Sequence, residues 1–323
     1  MSDFIAVRTH APGDSEEDLA VPADIAGAMI SWTLNSDGVL YDDLSVELAE
    51  ADFDEHFIPE ETSSSAALLN MLNRMFKNAN TLVRSVRNPK GVEGKVQATY
   101  AVVPKESEDD EDRVVFRESF KVSSVLVLRG EPGSTYIEPE LLFAPSVTQA
   151  ERDRMTDEYP TYLLTLFSLE QSQWLTRLAK NTLKGIVMEG GSGHYFIEPA
   201  MVPTWRKLTK TLAKVGIFLH EIPAMKSQQA VEAVLSSLRA MLNKNLEDLE
   251  ADLKAYAEKR NDPNARKVQR RVLEERQNRM NKDLNLIERY EQLFSVRLED
   301  MRANLEKVQM GYAELATINA AES

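Results

Sequence analysis

The chain has 323 residues, 43% of them hydrophobic, with 38 Lys+Arg against 52 Asp+Glu and a formal net charge of −14. That length supports one large or two ordinary domains with a real core. The absence of cysteine excludes a disulfide scaffold, thiolate metal sites and a thiol nucleophile.

No apolar run approaches the roughly 20 residues of a membrane helix, and residues 1–9 lack a charged-then-apolar leader pattern. The expectation is a cytoplasmic protein with no membrane partner. The acidic excess is uneven: residues 1–61 hold 16 acids and one base, Arg8, while 62–150 hold 11 of each and 151–323 hold 25 acids and 26 bases. Such a head is either a solvated lead-in or an acidic surface that faces a protein partner and mimics DNA.

Residues 1–20 read as a flexible acidic lead-in, with Pro12, Gly13 and an acidic run from Asp14 to Asp18. A short helix is expected next, with Pro22 in its first turn and Ile25, Ala26, Met29 and Ile30 on one side. Asn35–Gly38 is turn chemistry. Asp42 or Asp43 can cap a helix carrying Leu44 and Leu48, and Ser63–Ser65 open another with Leu68, Leu72, Met75 and Phe76 inward. From Lys95 the alternation of Val96, Ala98, Tyr100 and Val102 is that of a half-buried strand. The acidic run 106–112 lacks the glycine and spacing of a calcium loop and reads as a hairpin tip. Val114, Phe116, Phe120 and residues 125–128 continue an antiparallel meander.

Ser146 and Gln149 form a capping-box pattern, and Pro160 is expected to break the helix that follows. Residues 163–178 read as one long helix or two broken ones. Ile186–Met188, a Gly190–Gly193 turn and Tyr195–Ile197 make a compact hairpin. Pro203 opens a helix with Trp205, Leu208 and Leu212 inward, and 217–222 reads as a strand. Residues 133–139 echo 193–199: each has a small-residue turn, an aromatic, an isoleucine and a Glu-Pro stop.

The C-terminal third carries the strongest periodicity. Val231, Leu235, Leu238, Leu242, Leu246, Leu249 and Leu253 alternate steps of four and three with one stutter. After Asn261–Asn264, a heptad seam runs through Leu273, Met280, Leu284, Ile287, Phe294, Leu298, Met301, Leu305, Val308, Tyr312 and Leu315, with only Gln277 and Glu291 polar. A continuous helix of this kind reaches about 75–80 Å. Its stripe requires a partner helix, so an antiparallel hairpin or coiled coil is expected, with Leu284–Tyr312 left as the seam for self-association.

Catalytic patterns fail one by one. His220–Glu221 is not followed by the second histidine of a zinc protease, because position 224 is Ala. Gly190–Gly193 lacks the Lys and Ser/Thr of a phosphate loop and precedes a strand. No enzyme, cofactor or metal is expected. Two basic stretches remain. In 177–214, Arg177, Lys180 and Lys184 precede Arg206, Lys207, Lys210 and Lys214. In 266–289 lie Arg266, Lys267, Arg270, Arg271, Arg276, Arg279, Lys282 and Arg289. They are candidates either for phosphate contacts with nucleic acid or for pairing with acids of neighbouring helices.

Trp32–Leu34, Phe57–Pro59, Ala67–Leu72 and Gly190–Gly191 with Tyr195–Ile197 and Pro199 resemble an uncharacterised domain family of phages and actinobacteria, over about the first two-thirds of the chain. Ser192–Gly193 lengthens the family's glycine turn. The resemblance implies a mobile-element origin and brings no activity or site residues.

The combined reading is an α+β chain: lead-in 1–20, an α+β body at 21–222 with an antiparallel meander and hairpin, and a helical hairpin or coiled coil at 223–323. The expected function is a non-enzymatic structural or interaction protein that self-associates. Nucleic-acid binding is the first alternative, and inhibition of a protein partner by the acidic head is the second.

Overall fold

A computed structural model describes residues 22, 25–78, 81–90, 94–107, 114–116, 120–131, 134–188, 193–260 and 270–321. The acidic lead-in, most of the run 106–112, the centre of the 190–193 turn and the 261–264 break lie outside the described residues. The chain is α+β with antiparallel sheets. It divides into two compact units: one is Met1–Trp32, Arg177–Lys210 and Leu219–Ser323, the other Thr33–Thr176 and Thr211–Phe218.

The second unit is built on strands β3 (Thr81–Val86), β4 (Lys95–Ser107), β5 (Val114–Phe116), β6 (Phe120–Glu131) and β7 (Ser134–Phe143). They form a five-stranded sheet in the order β3-β4-β6-β7, with β5 paired to β4. Helices α2 (Ser64–Phe76) and α3 (Gln149–Leu164) share a core with it through Leu68, Met71, Leu72, Val102, Val122 and Met155. Ser63 caps α2 by accepting from the Ala66 amide. The capping box of α3 falls at Thr148 and Glu151, two residues beyond the expected pair. Pro160 lies inside α3 without ending it. It sits on the exposed side with Thr156, so water can meet the carbonyl that the missing N–H leaves free. Helix α1 (Tyr41–Glu50) begins after Leu40 with no side-chain cap, so neither Asp42 nor Asp43 plays that part. The short strands β2 (Val39–Leu40) and β8 (Thr165–Leu166) pair with each other.

In the first unit the expected helix at Pro22–Ile30 is instead strand β1 (Ile25–Thr33). It is central in a sheet ordered β11-β1-β10-β9, with β9 Ile186–Val187, β10 Tyr195–Ile197 and β11 Phe218–Met225. Ile25–Ala28 are consecutively buried. A strand covered on both faces shows no alternation, and its apolar run imitates helical spacing. Gly27 is required there, with φ 153°: a Cβ would lie 2.3 Å from the Ile197 carbonyl oxygen.

Most of helix α5 (Val202–Ala213) and the three C-terminal helices α6 (Gln228–Arg260), α7 (Arg270–Phe294) and α8 (Glu299–Ala321) belong to this unit. Asp252–Arg276 and Asp248–Arg279 ion pairs at 2.7 and 3.5 Å run in opposite chain directions and make α6 and α7 antiparallel. The expected continuous second helix is therefore two helices. Ser295 takes the left-handed conformation (φ 54°). Glu291, a polar interruption of the seam, accepts from the Leu298 amide at 2.7 Å and from Arg302 at 2.8 Å.

Folding α8 back supplies the partner surface within one chain. Ile287, Leu298, Met301, Leu305, Val308 and Tyr312 are buried together with Leu238, Leu242 and Leu249, and Leu284 and Phe294 pack partly buried on the same core. The side chains of the expected self-association seam are thus packed within one chain. Ile186 and Phe196 belong to the same core, so no boundary near residue 222 separates the helices from the hairpin before them.

Candidate functional site

Most of the candidate phosphate contacts are engaged within the chain. Arg206 is 9% exposed and grips Glu221 with Nε and Nη2 at 3.0 and 2.7 Å. That is a bidentate, desolvated pair that commits the Arg206 charge to Glu221. Lys207 and Lys210 are half-buried and hold interactions of their own. Lys214 pairs with Glu47. Arg271 is engaged by Glu275, one turn along its own helix, at 2.9 Å. Arg266, Lys267 and the side chain of Arg270 lie outside the described residues.

Other members of the two basic stretches meet in one cavity of the helical unit, of about 780 Å³. Its first wall is made by the residues that follow helix α4 (Ser168–Arg177). There the backbone widens into a π-turn over Leu178–Thr182, where the Leu183 amide donates to the Leu178 carbonyl at 2.9 Å. Lys184 follows in the left-handed region (φ 54°), and its ammonium donates to the Asn181 carbonyl. The Gly185 amide donates to the Ala179 carbonyl at 2.7 Å, and a Cβ on Gly185 would come within 2.8 Å of that oxygen. Such π-turns are uncommon and frequently shape functional sites. This one places Lys180, Asn181 and Lys184 on the cavity.

Helix α6 contributes Met241 and Asn245, α7 contributes Lys282, Asp283, Asn285, Leu286 and Arg289, and β9 contributes Val187. Lys180, Lys184 and Lys282 are exposed and pair with no carboxylate among the described residues. Arg289 pairs with Glu198. Asp283 is the single acid on the lining among the described residues and is 7% exposed. Both its oxygens accept from the Asn245 amide at 3.3 Å, and the Asn245 oxygen accepts from Arg279 at 2.6 Å. Burial pushes the Asp283 carboxyl above its ordinary range, opposed by the Asn245 hydrogen bond and the Arg279 charge. The lining thus presents ammonium groups with no carboxylate partner among the described residues, amides that both donate and accept, and a short apolar wall. It is equipped to hold an anion by charge and to orient an uncharged part by hydrogen bonds.

The basic stretches were legible in sequence, but the choice within them was not. Helical periodicity cannot show that a π-turn turns Lys180 and Lys184 toward α7, nor that Arg206 lies opposite a buried Glu221. Among the described residues, no group of three or more His, Asp or Glu is placed to hold a metal ion, and no helix is long and apolar enough to cross a membrane.

Fold and site together define an α+β protein whose helical unit carries a lysine-lined cavity. Residues 25–322 match the family described as "Family of unknown function (DUF6744)", and the chain belongs to that family. The match takes in helices α6–α8 as well as the chain from residue 25 up to them. No curated protein and no solved structure matches the chain.

Proposed function

We propose that the protein is a binding module for phosphate-bearing ligands, held in the cavity formed by the π-turn, α6 and α7. The observation that supports this reading is the convergence of Lys180 and Lys184 with Lys282, from separate basic stretches, with no carboxylate partner among the described residues. Ammonium groups left together without counter-charge repel one another, and an anion relieves that cost. The cavity lies within the range that encloses small ligands, roughly 300–1,000 Å³.

The reading is narrower than a nucleic-acid interface spread along both basic stretches. Arg206, Lys214, Arg271, Arg276 and Arg279 all face carboxylates, so no continuous basic track remains on their side chains. Calorimetric titration with inorganic tripolyphosphate tests the proposal. The expected result is measurable binding that falls at least tenfold in Lys180→Glu/Lys282→Glu and is unchanged in Lys244→Glu, an exposed lysine of α6 that does not line the cavity. Equal binding by the wild type and the double variant overturns it.

A further inference from the structure

Phosphate alone makes use of only part of this cavity. Val187, Met241 and Leu286 give it an apolar wall, and Met241 and Leu286 are half-buried against the helical core. An apolar surface adds nothing to the binding of a bare, strongly hydrated anion, but it receives a flat ring by dispersion and by release of water. Asp283 presents the sharper problem. A carboxylate on the wall of a phosphate site opposes the ligand it shares space with, unless it faces a part of the ligand that donates hydrogen bonds. Asn245 occupies both Asp283 oxygens only at 3.3 Å, the long end of the hydrogen-bond range, and each oxygen keeps a further lone pair. Asn285, on the same helix as Asp283, adds a further amide to the lining.

Resting on the phosphate-binding reading, we infer that the ligand is a nucleoside di- or triphosphate: its phosphates lie on Lys180, Lys184 and Lys282, its base lies against Met241 and Leu286, and the N–H edge of the base faces Asp283. The lysine charges then meet the phosphates, and the Asp283 carboxylate meets donors on the base. The lysines give affinity for any polyphosphate, and Met241, Leu286 and Asp283 give the preference for one that carries a base.

The test compares inorganic tripolyphosphate with ATP, GTP, CTP and UTP by calorimetry in the same buffer without divalent cations, on the full chain. At least one nucleotide is expected to bind tenfold or more tighter than tripolyphosphate. Asp283→Asn is expected to shrink that ratio at least threefold without weakening tripolyphosphate, because it removes an acceptor from the base and a negative charge from the cavity wall. Met241→Ala, which leaves the charge of the site untouched, is expected to weaken nucleotide and leave tripolyphosphate unchanged. Nucleotides that bind no tighter than tripolyphosphate, or a ratio that neither variant moves, overturn this inference while phosphate binding stands. If no polyphosphate binds at all, the phosphate reading falls and this inference falls with it.

Discussion

Glu291 and Asp283 lie two turns apart on α7, and their surroundings move them in opposite directions. The Leu298 amide and then the Arg302 guanidinium hold the Glu291 carboxyl below its ordinary range, while burial raises Asp283. A carboxyl lowered by folding contributes stability above its unfolded pKa, and that contribution is lost as pH falls through the folded value. A carboxyl raised by folding does the reverse: its contribution is complete below the unfolded pKa and is lost as pH rises through the folded value. Glu291→Ala is therefore expected to cost about 1–2 kcal/mol near neutral pH, the worth of a charge-assisted cap, with the difference from wild type shrinking as pH falls below about 4. Asp283→Asn is expected to lose least, or to gain, toward neutral pH. Thermal melts of both variants from about pH 3 to 8 check the two signs. Parallel Tm–pH curves for wild type and Glu291→Ala would contradict the capping role.

Among the elements, α8 determines whether the heptad seam is an interface or a core. Leu305 is 1% exposed and lies in the cluster with Leu242 and Met280. Leu305→Ala is expected to cost about 2–5 kcal/mol through lost burial and the cavity left behind. If the seam joined two chains, the Tm of wild type and variant would rise with protein concentration. For a core within one chain the melts are independent of concentration, and that is the expected outcome. Strand β1 offers the corresponding test in the sheet. Gly27→Ala drives a methyl group into the Ile197 carbonyl and the Phe196 ring, and a loss of more than about 3 kcal/mol is expected from denaturant unfolding. These two elements also mark the limit of what the sequence revealed. The amphipathic repeat of α6, α7 and α8 was plain because one face of each is wet and the other dry. The turn at Ser295 was hidden because a single left-handed serine, unlike Gly or Pro, leaves no compositional mark, and Glu291 read as a tolerated polar seam position. In β1 the same burial on both faces that makes the strand central erased the period-2 pattern by which strands are recognised. The lysine cavity was half legible: its charges lay in the two basic stretches, but which charges converge depends on tertiary pairing with Glu221, Glu47 and Asp252, which residue order does not contain.

For the whole molecule, the net charge is −14, while the described lining of the cavity bears four cations and one acid. At about 0.1 M salt, charges more than about 10 Å apart are largely screened, so a short anion in the cavity is governed by the lysines. A long polyanion extends beyond them, where Arg271, Arg276 and Arg279 are already paired with carboxylates and add little attraction. The cavity reading therefore constrains how a single-stranded oligonucleotide should behave. Each phosphate neutralised on a single strand contributes about −0.7 to the slope of log K against log salt. Contacts confined to Lys180, Lys184 and Lys282 thus give a slope of about −2. Lengthening the strand from about 3 to about 20 nucleotides is expected to leave the intrinsic affinity almost unchanged, once the number of overlapping sites is allowed for. Fluorescence anisotropy across a salt series measures both quantities. A slope steeper than about −5, with affinity rising with length, would require a basic track beyond the cavity and would return the protein to the class of extended nucleic-acid binders. A slope near −2 that disappears in Lys180→Glu/Lys282→Glu would place the phosphate contacts at the meeting point of the π-turn and α7.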